Sequence, residues 1–265
     1  MNCYTTLLGT DNYVYGVMGL YRSLRNRGAQ EPFKAIVVDT ISESTLALLD
    51  ECDIPYEVVE NTPFIMGGLD NPYACTLNKF QFLNWTEYDK VMFLDADIFV
   101  MENPDELFNL EHECAASISH VDINTPPWYS GNAFILPPSP HLWAQLIKLQ
   151  NSITVTNDEQ ILNFLIGPYV NVSTFLAYPY FFHDDYHEGT KLGSSKYWTR
   201  FKIDSIEKLN NFIDNLDCYI SPITTLHYQP IESEFVENLD DLIINTEIEE
   251  YVKIPEQYFF IRQPK

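Results

Sequence analysis

The stretch Val91-Met92-Phe93-Leu94-Asp95-Ala96-Asp97 decides how this chain is read. Four apolar residues make a short buried strand, and such a strand has no use for two carboxylates at its carboxyl end. On an extended backbone, residues i and i+2 point the same way, so Asp95 and Asp97 can share one ligand. Two like charges side by side in a cleft are costly unless a cation or a proton lies between them. A hard divalent metal with oxygen ligands resolves that cost and admits a diphosphate as well. The plainer reading is a solvated acidic loop after a strand, and a DxD triplet alone is a common sequence.

The residues before this stretch alternate between strand and helix patterns. Cys3 to Leu8 reads as a strand, and Val14, Val17, Tyr21 and Leu24 then share one helical face. Phe33 to Val38 is a second strand, Leu46 to Leu49 a short helix after a Ser42 cap, and Tyr56 to Val59 a third strand. Cys75 to Leu83 reads as a helix leading into Val91 to Leu94. This order predicts an α/β fold with a mostly parallel central sheet and helices on both faces. In such sheets ligands bind at the carboxyl ends of strands, here after Leu8 and after Leu94. Further on, Asn103-Pro104 and Ser139-Pro140 read as helix starts. Ala115 to Ser119 and Ala133 to Leu136 read as strands. Tyr178 to Phe201 reads as a long loop or lid, Phe201 to Leu216 as a helix, and Leu239 to Pro264 as an acidic region without an assigned element. The expectation is one domain over residues 1–265, with a nucleotide-binding half at about 1–110 and an acceptor-side half at about 111–265.

Composition narrows the function. The chain of 265 residues has 38 Asp and Glu against 15 Lys and Arg, a formal net charge of −23. That balance argues against nucleic-acid binding, which needs clustered cations, and against docking on an anionic membrane. No apolar run approaches a membrane span. The five cysteines form no CxxC pair, and no signal peptide is visible, so a cytoplasmic setting is expected. A homodimer is left open.

Several motifs, in order along the chain, carry a resemblance. Thr6-Leu7-Leu8-Gly9-Thr10-Asp11-Asn12-Tyr13, with Gly16, Leu20 and Ser23-Leu24 behind it, resembles the first strand, nucleotide loop and first helix of the glycogenin and galactinol synthase family. Thr76-Leu77-Asn78-Lys79-Phe80 resembles that family's Thr-x-x-Lys segment, and Asp95-Ala96-Asp97 its DxD. Ser130-Gly131, Glu159-Gln160 and Leu226-His227 resemble its later motifs. The resemblance implies a GT-A, Rossmann-like fold and a retaining glycosyltransferase. That enzyme would use manganese or another divalent cation to move a sugar from a UDP-sugar donor to a carbohydrate or protein-linked glycan. It implies that Leu7, Gly9 and Tyr13 line the base pocket and that Lys79, Ala96, Ser130 and Gly131 add to the donor site. Asp95, Asp97 and His227 would be the metal ligands, with Asp95 also touching the ribose, and Gln160 would sit at the reacting face of the sugar.

Other readings stand beside these. Tyr13 is also the exposed start of an amphipathic helix, and Lys79 an ordinary solvated helix lysine. Asn157-Asp158-Glu159-Gln160 is also a capped helix start. Glu159 stands where the family has Asp, and Asp158 can take that role instead. His183 and His187 are rival ligands to His227. After His227 the chain continues Tyr228-Gln229-Pro230-Ile231-Glu232-Ser233, without the family's diphosphate-binding lysine, which Lys191, Lys196 or Arg200 would have to replace. A nucleotide-sugar or glycan-binding relative without turnover is therefore an alternative. A haloacid dehalogenase-type phosphatase also sets DxD after an apolar strand, but that motif continues with Thr or Val where this chain has Ile98-Phe99, and it opens its domain.

Overall fold

The computed structural model describes residues 1–63, 74–100, 102–109, 114–122, 125–150, 157–166, 173–176, 181–183, 192–194, 203–215, 251–253 and 259–262. The first strand is divided at Thr6 into β1 (Cys3–Thr5) and β2 (Leu7–Leu8). A single 3-10 turn, Asp11–Tyr13, leads into α1 (Val14–Asn26), which buries Val14, Val17, Leu20 and Leu24. Next come β3 (Ala35–Val38), α2 (Glu43–Glu51) and β4 (Tyr56–Val59). The Ser42 side chain accepts from Thr45 N–H at the start of α2, the cap that its sequence predicts. Residues 74–84 wind as a 3-10 helix of 11 residues, far beyond the three or four usual for that form.

Then follow β5 (Val91–Leu94), β6 (Ile98–Val100), a 3-10 helix Asp105–Asn109, β7 (Cys114–Asp122) and β8 (Thr125–Leu136). The remaining helices are α3 (Pro140–Gln150), α4 (Asp158–Ile166) and α5 (Ile206–Asp214). The remaining strands are β9 (Ser173–Leu176), β10 (Phe181–His183), β11 (Leu192–Ser194), β12 (Tyr251–Lys253) and β13 (Phe259–Arg262).

The amino-terminal pairings are parallel: β4 on β3, β3 on β2, and β1 on β5. Antiparallel pairing enters where β8 joins β5, and the large sheet runs β1-β5-β8-β7-β9-β13-β12. The architecture is α/β with a mixed sheet. Its core near the cleft is aromatic. Phe134 of β8 stacks on Phe93 of β5 at 5.0 Å and on Phe80 of the long 3-10 helix at 5.6 Å. Those contacts hold that helix, and Lys79 on it, against the sheet.

Two expectations change here. Tyr178 to Phe201 is not simply a loop. It contains β10, and β11 which pairs antiparallel with β6; Phe181 and Phe182 are good strand formers. The unassigned region from Leu239 supplies β12 and β13, and β13 pairs with β9.

Candidate active site

A cleft of about 600 Å³ opens at the carboxyl ends of β2 and β5. Leu7, Gly9, Thr10 and Tyr13 line one side, and Cys75, Thr76 and Lys79 another. Asp95, Ala96, Asp97 and Asn132 line a third, and Asn157, Asp158 and Glu159 from the start of α4 close it.

The acidic pair reaches the cleft by a different route from strand alternation. The strand ends at Leu94, and Asp95 C=O accepts from Ile98 N–H at 2.9 Å, which closes a tight turn between β5 and β6. Asp95 N–H donates to Asn132 C=O at 2.8 Å, so the turn is anchored on β8. Antiparallel pairing of Leu94 with Ala133 brings Gly131 and Asn132 beside it.

Lys79 is the centre of the charge arrangement. Its ammonium has three protons. It lies 2.6 Å from Asp158 Oδ2, 2.7 Å from Asp95 Oδ1 and 3.3 Å from Gly131 C=O. Three acceptors thus meet three donors, in a residue only 5% exposed. The solvated-lysine reading is overturned. Lys79 lines the cleft, and in it the three ammonium protons are engaged by the protein itself. Burial alone would lower the ammonium's pKa. The charges of Asp158 and Asp95 outweigh that and hold it above its ordinary value. The Asp95 carboxyl is pushed up to about 7, chiefly by burial, with the neighbouring charges of Asp97 and Asp158 adding to it against the pull of Lys79.

Gly131 is there for close approach. A Cβ built on it would lie 2.1 Å from Asp158 Oδ2, so any side chain would drive Asp158 off Lys79. The start of α4 is capped as its sequence predicts, with Gln160 N–H donating to Asn157 Oδ1 at 2.9 Å. That cap brings Asp158 and Glu159 into the cleft lining, while Gln160 is exposed and outside it. A helical residue two positions from another points well round the axis, which is why Gln160 and Asp158 part company. Ser130 is buried beneath the lining, where its hydroxyl accepts from Asn132 N–H at 3.3 Å. Leu7, Gly9, Tyr13, Ala96 and Asp97 all line the cleft. His227, His187, Lys191, Lys196 and Arg200 lie outside the described residues.

The donor set suits a hard cation. Among the described lining residues four carboxylates, Asp95, Asp97, Asp158 and Glu159, face one ammonium, and oxygen ligands favour divalent magnesium- or manganese-type ions. Among the described residues no three His, Cys, Asp or Glu side chains form a ready metal cluster. Asp95 and Asp97 would be two members of such a ligand set.

Over 147 residues the chain is 29% identical to Glycogenin-1 of Caenorhabditis elegans, covering 54% of this chain and 33% of the relative. It is 35% identical over 113 residues to Galactinol synthase 3 of Arabidopsis thaliana, covering 40% of this chain and 33% of the relative. The solved galactosyltransferase LgtC, in complex with donor and acceptor sugar analogues, superposes with a TM-score of 0.55 at 14% identity, covering 90% of this chain and all of that one. The chain has the GT-A fold and is similar in sequence to glycogenins and galactinol synthases over part of its length. No protein-family model matches it. The chain spans about a third of the length of these two curated relatives.

Against that GT-A frame, sequence reading missed Thr10, Cys75, Thr76, Asn132 and Asn157 as lining residues. Asn132 was signalled, since it directly follows Ser130-Gly131. Cys75 was not: its place depends on Gly9, whose added Cβ would lie 2.8 Å from the Cys75 Sγ. Among the described residues no helix is long and apolar enough to cross a membrane.

Proposed function

We propose that the chain is a retaining glycosyltransferase that moves a sugar from a nucleotide diphosphate donor, with UDP-sugar the simplest choice, to a carbohydrate or protein-linked glycan hydroxyl. The observation that supports it is the acidic turn, Asp95 to Asp97, facing Leu7, Gly9 and Tyr13 across one cleft of a GT-A fold. Tyr13 offers an aromatic face to a base. Asp95 and Asp97 would hold a divalent cation, manganese being the expected one. That cation, when bound, neutralises the diphosphate and stabilises it as a leaving group. Asp158, fixed by Lys79 and by the α4 amino end, orients polar groups of the sugar. Glu159 adds a second carboxylate on the same side.

A panel of nucleotide sugars, assayed for manganese-dependent hydrolysis and transfer, tests this reading. Turnover of at least one UDP-sugar, lost in Asp97→Ala, supports it. Full activity in Asp97→Ala removes its basis.

The alternative is a relative that binds donor without turnover. It is favoured by the engagement of all three Lys79 protons within the protein, and by the missing lysine after His227. Calorimetry that detects donor binding, with no transfer over hours, would select it. The phosphatase reading has no support in the fold: about a third of the chain precedes the DxD turn, and that part builds the other wall of the cleft.

A further inference from the structure

The Lys79 ammonium and any divalent cation held by Asp95 need the same carboxylate. Lys79 already lies 2.7 Å from Asp95 Oδ1, within a buried cluster. A dication seated on Asp95 would face that ammonium at close range, where water screens the repulsion poorly. Resting on the reading of this cleft as a cation-assisted donor site, we infer that Lys79 is an internal competitor for Asp95, so that the site discriminates against a bare cation and favours a cation that arrives with its diphosphate.

Three features carry this. The first is the division of Lys79 between two acids at nearly equal distance, 2.6 Å to Asp158 and 2.7 Å to Asp95. Asp158 therefore gives the ammonium a place to stay when Asp95 is taken. The second is Gly131, whose carbonyl accepts a hydrogen bond from Lys79 and whose lack of a side chain lets Asp158 come so close. The third is the lack of any other Lys or Arg among the described lining residues. A diphosphate adds negative charge to the cleft. It offsets the repulsion between cation and ammonium and gives any proton that Lys79 releases from Asp95 a new acceptor. Linkage makes the effect reciprocal: the cation weakens the Lys79–Asp95 pair by the same factor as the pair weakens cation binding.

The test is manganese binding by the full chain, followed by the paramagnetic signal of free ion and by calorimetry, with and without UDP. Lys79→Met removes the charge and keeps the length. It should bind bare manganese about tenfold more tightly than the unaltered protein, the scale expected for one lost close repulsion in a partly screened site. UDP should then enhance manganese binding by about tenfold less than in the unaltered protein, because the repulsion it offsets is gone. Lys79→Arg, which keeps the charge, should stay near the unaltered protein.

A lysine that only supports the fold would weaken both measurements together. Bare-manganese affinity that is unchanged or weaker in folded Lys79→Met overturns the competition. If the unaltered protein still binds manganese with UDP in that case, the glycosyltransferase reading stands; if it binds none with UDP, that reading falls as well. Thermal melting checks the fold. Where Lys79→Met does not fold, Asp158→Asn serves: it leaves Lys79 to Asp95 alone and should weaken bare-manganese binding severalfold, and tighter or equal binding overturns the inference.

Discussion

Among the described residues two lysines each bridge two carboxylates, and their settings differ. Lys34 lies 3.1 Å from both Glu57 and Glu87, over the Trp85 ring at 3.9 Å, with both acids half exposed. Lys79 lies at 2.6 and 2.7 Å from Asp158 and Asp95, with its third proton on a carbonyl, inside the cleft. The stoichiometry is the same and the dielectric is not. Water and salt screen the first cluster, which fastens β3 to β4 and to the turn before β5. The second is enclosed, so each charge there depends on the others and a missing partner leaves a buried ion. The contrast separates a surface fastening from a reactive arrangement more clearly than residue type does.

The largest expected effect tests that contrast through stability. Lys79→Ala leaves two acids in the cleft without their ammonium and should destabilise the fold by about 3–5 kcal/mol. Lys34→Ala should cost about 1 kcal/mol, with the aromatic contact included. Urea unfolding of both variants measures the gap, and equal losses would erase the distinction.

Activity should divide in the same way. Asp97→Ala should lower manganese-dependent sugar transfer about a hundredfold or more, on the scale of losing one preorganised electrostatic group, while Lys34→Met should stay within about twofold. Gly131→Ala should lower transfer about tenfold to a hundredfold, because its Cβ displaces Asp158 from Lys79 and misplaces the carboxylates by about an ångström. Lys34 has no such neighbour, so a crystal structure of Gly131→Ala should show change at Asp158 and none at Glu57 or Glu87.

pH should move the two clusters in opposite directions. The Asp95 carboxyl sits at about 7, above its unfolded value, so the folded state holds the proton more tightly. Its contribution to stability is full at low pH and is lost as pH rises from about 4 through 7, with a limiting slope of about 1.4 kcal/mol per pH unit for one group. Cation binding, which competes with that proton, should tighten over the same rise. Glu87 is held below the usual carboxylate range, first by its own backbone N–H and then by Lys34. Its contribution is present above that range and fades as pH falls through it. Urea melts from pH 3 to 8 on Asp95→Asn and Glu87→Gln distinguish the two slopes. The smallest effect is that of salt: 1 M sodium chloride should erase most of the Lys34 contribution and little of the Lys79 one.

Much of the amino-terminal half was legible in the sequence. Val91–Leu94 and Tyr56–Val59 are strands with the expected ends, and Ser42 and Asn157 cap the helices they precede. These follow from local causes: apolar runs, β-branched residues and side chains that bond backbone N–H groups a few positions on. The lining role of Leu7, Gly9, Tyr13, Asp95 and Asp97 was readable as order along the chain. Only the tertiary structure decided how they meet. The DxD lies in a turn closed by Ile98 and not on a strand, because its partner is Asn132 on β8. Lys79 is buried and not solvated, because Phe80 and Phe93 pack on Phe134 and draw its helix onto the sheet. Asp158 comes close enough to bond Lys79, because Gly131, 27 residues earlier by number, has no side chain to bar it. Periodicity and caps are set by near neighbours, and the sequence displays those directly. Which charges share a cleft is set by contacts between segments far apart in the chain, and only the folded packing fixes them.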